Sequence, residues 1–182
     1  MKKIVSVFLL CMLLFSAVSC ADTAADGVDT DTSAGSGTGA VCTLTILCDT
    51  LYAHPEMCDA ALYAILPENG VILDTVEIPI SDGTTVFDVL SEACRSGNIH
   101  MEHSTSPVYN TVYIEGIANV YEFDGGPLSG WMYSVNGEYP NFGASFYRLQ
   151  DGDEIVIRYT LELGEDIGGD YAAQISQTGD EQ

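Results

Sequence analysis

Positive charge is scarce in this sequence. Of 182 residues, 5 are Lys or Arg and 27 are Asp or Glu, a formal net charge of −22 at pH 7. Both lysines, Lys2 and Lys3, lie at the very start, and the remaining cations are Arg95, Arg148 and Arg158. Affinity for nucleic acid comes from many Lys and Arg contacts to phosphate, so no nucleic-acid partner is expected. With no lysine beyond Lys3, a Schiff-base lysine, a phosphate-loop lysine and a Lys–Asn isopeptide crosslink are excluded from the rest of the chain. Long apolar runs are scarce as well. The run from Ile4 to Val18 has no successor, and it is too short to read as a membrane span.

What is there divides into four parts. Residues 1–20 read as an export signal: a basic start, an apolar run, then Ser16-Ala17-Val18-Ser19-Cys20. Small residues before a cysteine resemble the bacterial lipoprotein box. Cys20 would then be lipidated, and the lipid would anchor the protein to the outer face of the cell membrane. Ala17-x-Ser19 also suits ordinary signal cleavage, which would yield a secreted protein. Residues 21–40 hold no aromatic and almost no large apolar group, so they read as a flexible acidic linker. Asp29-x-Asp31-x-Ser33 imitates a calcium loop, but Ala34 stands where that loop needs Gly and Ala40 where it needs Glu, so no metal is expected. Residues 41–164 are the folded domain, and 165–182 read as an acidic disordered tail.

Within the domain, Cys42, Leu44, Ile46 and Cys48 alternate as one face of a strand. Asp59 to Leu66 reads as a short helix before Pro67. Val71 to Ile80 has strand composition, and Pro79 suggests an edge. Thr84 or Thr85 caps a helix running to Ser96, with Val86, Phe87, Val89, Leu90, Ala93 and Cys94 as its apolar stripe and Gly97 as its stop. Aromatic residues crowd between Tyr109 and Tyr159, in short strands broken by turns. Asn136-Gly137 is a hairpin signal. Asp151-Gly152 turns the chain into a strand from Glu154 to Leu161. Strand, strand, helix and further strands argue an α+β domain, one main helix on an antiparallel or mixed sheet with additional short strands and hairpins.

Four segments then occur in order: Thr84-Thr85-Val86-Phe87-Asp88-Val89-Leu90, Tyr113-Ile114-x-Gly116-Ile117, Gly130-Trp131-x-Tyr133-x-Val135-Asn136-Gly137, and Tyr147-x-Leu149-x-Asp151-Gly152-Asp153-x-Ile155. Together they resemble the transcobalamin-like C-terminal domain, a family of unknown function common in surface proteins of Gram-positive bacteria. The resemblance covers roughly residues 42–163. It implies a β-grasp-like fold and kinship with the smaller domain of the cobalamin carriers. Cobalamin or another corrinoid is thereby implied as ligand, with a barrel-domain protein or a vitamin transporter as partner, since this chain holds no helical barrel to cover a second face. Relatives carry cysteines where this chain has Gly125, Ala144 and Leu161, which implies a disulfide between the first two positions, lost here as a pair.

Beyond Cys20 remain Cys42, Cys48, Cys58 and Cys94, an even number in an exported chain, which suggests two disulfides. Cys42 and Cys48 lie about 20 Å apart along one strand and cannot pair. Cys48–Cys94 with Cys42–Cys58 is the favoured pattern. A zinc site lacks its close Cys-x-x-Cys pair. His100 and His103 lack the spacing of the zinc-protease helix motif and read as surface or half-buried residues. Neither Ser129 nor Ser145 sits in a Gly-x-Ser-x-Gly elbow. Carboxylate pairs such as Glu122/Asp124 are expected by chance in so acidic a chain. No catalytic residue and no catalytic cofactor is assigned, and the chain reads as non-enzymatic.

Trp131 and Tyr133 share one strand face and read either as core aromatics or, with Tyr139, Asn141 and Phe142, as an exposed shelf for a flat or sugar-like ligand. Two functions are compatible with these residues. One is a tethered ligand-binding module, with a corrinoid as the ligand. The other is an adhesion or spacer module that binds protein or glycan at the cell surface.

Overall fold

Apolar alternation builds the centre of the domain, as the computed structural model of the chain describes it for residues 39–106 and 110–169. The expected signal, Cys20 with its lipid, linker residues 21–38 and the tail from Asp170 onward lie outside the described residues. Seven strands are present among those described: β1 (Val41–Leu47), β2 (Val71–Pro79), β3 (Met101–Ser106), β4 (Thr111–Ile117), β5 (Val120–Tyr121), β6 (Gly130–Val135) and β7 (Glu154–Thr160). The helices are α1 (Asp49–Ala53), α2 (Ala60–Tyr63) and α3 (Val86–Ser96). The architecture is mixed α+β with two sheets.

The larger sheet has the order β2-β1-β7-β6. β1 is antiparallel to β2 and parallel to β7, and β6 is antiparallel to β7. β1 buries Cys42, Leu44 and Ile46 and leaves the intervening residues partly open, as its alternation requires. β2 is an edge strand, as Pro79 suggested. The smaller sheet, β3-β4-β5, is antiparallel throughout.

α3 carries the largest apolar face. Val86, Val89, Leu90, Ala93 and Cys94 are buried against Leu44, Ile46, Ile155 and Ile157 in one cluster. Each fully buried Val, Leu or Ile contributes about 1.5–3 kcal/mol. Thr85 caps the helix in a reciprocal box: its Oγ1 accepts from the Asp88 amide at 3.2 Å, and Asp88 Oδ2 accepts from the Thr85 amide at 2.9 Å. Gly97 ends the helix in a right-handed conformation, and the left-handed residue is Asn98, at φ 52°.

A second cluster forms under α1. It joins Cys48, Leu51, Val120, Tyr159 and Leu161, with Cys58, Leu62 and Leu66 packed against it. The sequence reading missed α1, and the helix expected over Asp59–Leu66 is shorter, Ala60–Tyr63. The chain is also folded past residue 164. Glu165–Ile167 forms a 3-10 turn, Ile167 is buried, and the Leu161 amide donates to Asp166 Oδ2 at 2.8 Å. The expected tail boundary therefore moves to Gly169 at the earliest.

The expected disulfides are not formed. Cys42, Cys48, Cys58 and Cys94 are all free thiols. Cys48 lies just past the end of β1 and turns into the second cluster, whereas Cys94 and Cys42 belong to the first, so the Cys48–Cys94 pairing spans two cores. Cys58 is half-buried beside the second cluster, away from Cys42. The positions of the implied lost disulfide, 125 and 144, likewise sit by different clusters. A Cβ on Gly125 would lie 2.5 Å from Leu161 Cδ2, while Ala144 is buried in the first cluster.

Candidate functional site

Asn136-Gly137 makes its left-handed turn, at φ 53° and 82°, and Val135 bridges back to Glu138. That bridge does not extend into a second strand. The chain leaves as the segment Tyr139–Asp153 before returning as β7. The first part of this segment is held on β4: Ser145 Oγ accepts from the Val112 amide at 3.2 Å and lies 3.1 Å from Thr111 Oγ1. Gly143 is required there, because a Cβ would run into the Thr111 side chain. A second loop, Glu122–Ser129, faces it. The Phe123 amide donates to the Ser129 carbonyl at 3.1 Å, and Ser129 Oγ accepts from the Gly125 amide at 3.0 Å. Below them the Tyr159 hydroxyl, 2.9 Å from Ser129 Oγ, donates to the Tyr121 carbonyl at 2.7 Å.

Between the two loops, over β4 and β6, lies an open groove of about 660 Å³. Pockets of some 300–1,000 Å³ are typical of small-molecule sites. Tyr113, Phe123, Leu128, Phe142, Phe146 and Leu163 all line it, and all are exposed. They are six of the ten exposed large apolar side chains among the described residues. Two of them, Phe123 at φ 70° and Leu163 at φ 52°, hold a left-handed backbone that bulky residues rarely adopt. The Leu163 amide donates to the Leu128 carbonyl at 3.0 Å, which ties the chain after β7 to the groove's rim.

Four of the five shelf residues, Trp131, Tyr133, Asn141 and Phe142, line this groove. Trp131 is half-buried, its indole donating to the Val120 carbonyl at 2.9 Å and packing edge-on to Tyr159, with ring centroids 5.2 Å apart. Tyr133 is buried, and burial pushes its phenol above the ordinary range. Phe142 is exposed and stacks on Tyr147, with centroids 5.8 Å apart and planes 11° apart. Tyr139 does not join them. Its hydroxyl donates to the Ile167 carbonyl at 3.0 Å, and a Cβ on Gly169 would lie 3.2 Å from its ring. The opposite rim, Tyr113, Phe123, Leu128 and Leu163, was missed by sequence reasoning. The available signal was Gly125-Gly126-Pro127, which marks a loop beside Phe123 and Leu128.

The other chemistry-bearing residues are dispersed. His100 Nε2 lies 2.8 Å from Glu102 Oε1, and His103 packs edge-on to Phe87. Asp124 Oδ2 accepts from the Tyr121 amide at 2.7 Å and closes a turn. No group of three potential metal-ligating residues occurs among the described residues. No helix among them is long and apolar enough to cross a membrane.

Residues 83–160, from the turn before α3 to the end of β7, match a domain of unknown function, DUF4430. No curated protein matches the chain. Among solved structures, a protein from Ruminococcus gnavus ATCC 29149, named as a candidate metal-binding protein, is similar at 16% identity and a TM-score of 0.41, over 66% of this chain and 96% of that one. Haptocorrin in complex with Cbi is similar at 14% identity and a TM-score of 0.48, over 68% of this chain. The match spans 25% of the haptocorrin chain.

Proposed function

We propose that this chain is a non-enzymatic binding module whose ligand, a corrinoid, lies in the aromatic groove between the Glu122–Ser129 and Tyr139–Asp153 segments. One observation carries the reading: six of the ten exposed large apolar side chains among the described residues converge on one concave site. Flat rings supply contact area to a macrocycle without requiring charge. The groove is open on one side, which suits a ligand completed by a second protein, a barrel-domain partner or a transporter. The β-grasp-like reading of the fold belongs to the same proposal. It is supported by the parallel central pair β1 and β7 and by α3, which follows the β1–β2 pair.

Anchoring through a lipid on Cys20 at the outer face of the membrane completes the proposal. It is supported by the lipoprotein-like run ending at Cys20. Cys20→Ala should release the protein into the medium or block its processing. Binding is tested by titrating the purified full-length chain with cyanocobalamin and following the fluorescence of Trp131, the chain's only tryptophan. Saturable quenching that Phe142→Ala weakens is the expected result. No quenching at any concentration overturns the corrinoid reading and favours adhesion to protein or glycan.

A further inference from the structure

We infer that the groove selects its ligand by charge, taking aromatic cations and rejecting aromatic anions, with Glu122 as the selecting residue. The inference rests on the reading of the groove as a ligand site and adds the charge of what it accepts.

The groove's lining contains no Lys, Arg or His. None of the three arginines is placed to supply a cation there. Arg158 is held by Asp49, with Nε at 2.9 Å and Nη2 at 2.6 Å from its carboxylate. Arg95 pairs with Glu92 on α3. Arg148 forms a backbone bridge to Thr85 at the start of α3, and its Nη1 lies 3.0 Å from where a Cβ on Gly83 would sit. An anionic ligand entering the groove would therefore lose hydration with no positive partner to replace it.

A cation meets the opposite situation. The Tyr113 hydroxyl donates to Glu122 Oε2 at 2.5 Å, which fixes this carboxylate behind a lining ring. Glu122 directly precedes the lining residue Phe123, and its Cβ comes within 3.9 Å of where a Cβ on the lining residue Gly130 would sit, so its carboxylate adjoins a lining that itself holds no charged side chain. Tyr113, Phe123 and Phe146 have no stacking partner among the described aromatic residues. Their side chains are exposed, and aromatic faces attract cations through the quadrupole of the ring. Exposed rings beside a carboxylate fixed on the lining residue Tyr113 favour a flat molecule carrying positive charge. The left-handed backbone at Phe123 and Leu163 keeps both apolar side chains on the rim rather than folded into the core, consistent with strain retained at a binding surface.

The test uses two probes of similar shape and opposite charge, thioflavin T as the cation and 1-anilinonaphthalene-8-sulfonate as the anion. The full-length chain is titrated with each while Trp131 quenching is followed. Thioflavin T is expected to bind about tenfold more tightly. Glu122→Gln keeps an oxygen that accepts the Tyr113 hydroxyl and removes the charge. It should weaken thioflavin T about fivefold or more and leave the sulfonate unchanged or tighter. Glu77→Gln, on β2 at the far edge of the sheet from β6, should change neither and controls for general surface charge. Glu122→Lys should reverse the preference, and it is the second variant should Glu122→Gln fold poorly. Equal affinity for the two dyes, or a ratio unmoved by both Glu122 variants, overturns the charge inference while leaving the groove as a site. If neither dye quenches Trp131, the groove reading itself falls and the inference falls with it.

Discussion

The hydroxyl of Tyr133 donates to the carbonyl of Phe142 at 2.7 Å, so a buried strand residue holds up one wall of the groove from below. Because the bond links the sheet to an exposed loop, its loss should act on the loop more than on the fold. Tyr133→Phe should lower stability by about 1 kcal/mol. It should weaken groove binding by a larger factor, because Phe142 loses its fixed position. Melting and titration of the same variant check this, and equal effects on both would assign Tyr133 to the core alone.

Gly143 supports the same wall from the other side. Gly143→Ala places a Cβ into Thr111, and the clash should cost about 1–3 kcal/mol. Denaturant unfolding would measure it. The accompanying shift of the Tyr139–Asp153 segment should also free the Ser145 hydroxyl from Val112.

Asp49 and Arg158 join α1 to β7 through a two-pronged ion pair whose side chains are roughly two-thirds buried. Asp49→Asn should destabilise the chain by about 1–2 kcal/mol, after allowance for partial exposure. Arg158→Lys should also cost stability, because an ammonium cannot reproduce the fork. A loss below about 0.3 kcal/mol in both variants would mean that the pair contributes nothing net.

The buried thiols set an alkaline limit. Burial, assisted by the charge of Asp49, pushes Cys48 up to about 12, and burial pushes Cys94 up to about 11, from an ordinary 9.0. The folded chain holds these protons more tightly than the unfolded chain does. Their contribution is therefore complete below pH 9.0 and is lost as pH rises through about 11 and about 12. The denaturation midpoint of the reduced chain should fall steadily above pH 9.0. At neutral pH an alkylating reagent should label Cys58 before Cys42, Cys48 and Cys94, and unfolding without reductant should expose these four.

Legibility followed the range of the forces involved. β1, α3 and β7 were readable because a repeating apolar face writes its period into consecutive residues, β2 was readable from its strand-forming composition, and the Thr84-Thr85 pair marked the helix start. α1 is one short turn with a single buried residue, Leu51, so it leaves no periodic mark. Asn136-Gly137 announced its turn correctly, yet the path of the chain beyond Glu138 is decided by Ser145 and Thr111 on β4, which no local pattern reveals. One wall of the groove was legible because Trp131, Tyr133, Asn141 and Phe142 are close in sequence. The other wall was not: Phe123 and Leu163 are brought to it by backbone bonds to Ser129 and Leu128, and neither carries the glycine that normally marks a left-handed position. The cysteine pairing misled because parity and strand spacing carry no information about which of two cores each thiol enters.

The parallel pairing of β1 with β7 also bears on how the domain acquires its fold in time. The Val41 amide donates to Asp151 Oδ1 across 110 residues of chain, and Thr43 aligns with Glu154. The β3-β4-β5 sheet pairs only near neighbours in sequence, whereas β1 keeps a bare edge until β7 arrives. Loop-closure entropy must then be met in one late step, which places folding in the millisecond-to-second regime of non-local topologies. A nascent chain that has not yet released Thr160 carries β1 unpaired on that side, and the groove, whose floor includes β6, has no strand to hold it. The groove is thus completed last, with the last of the described strands.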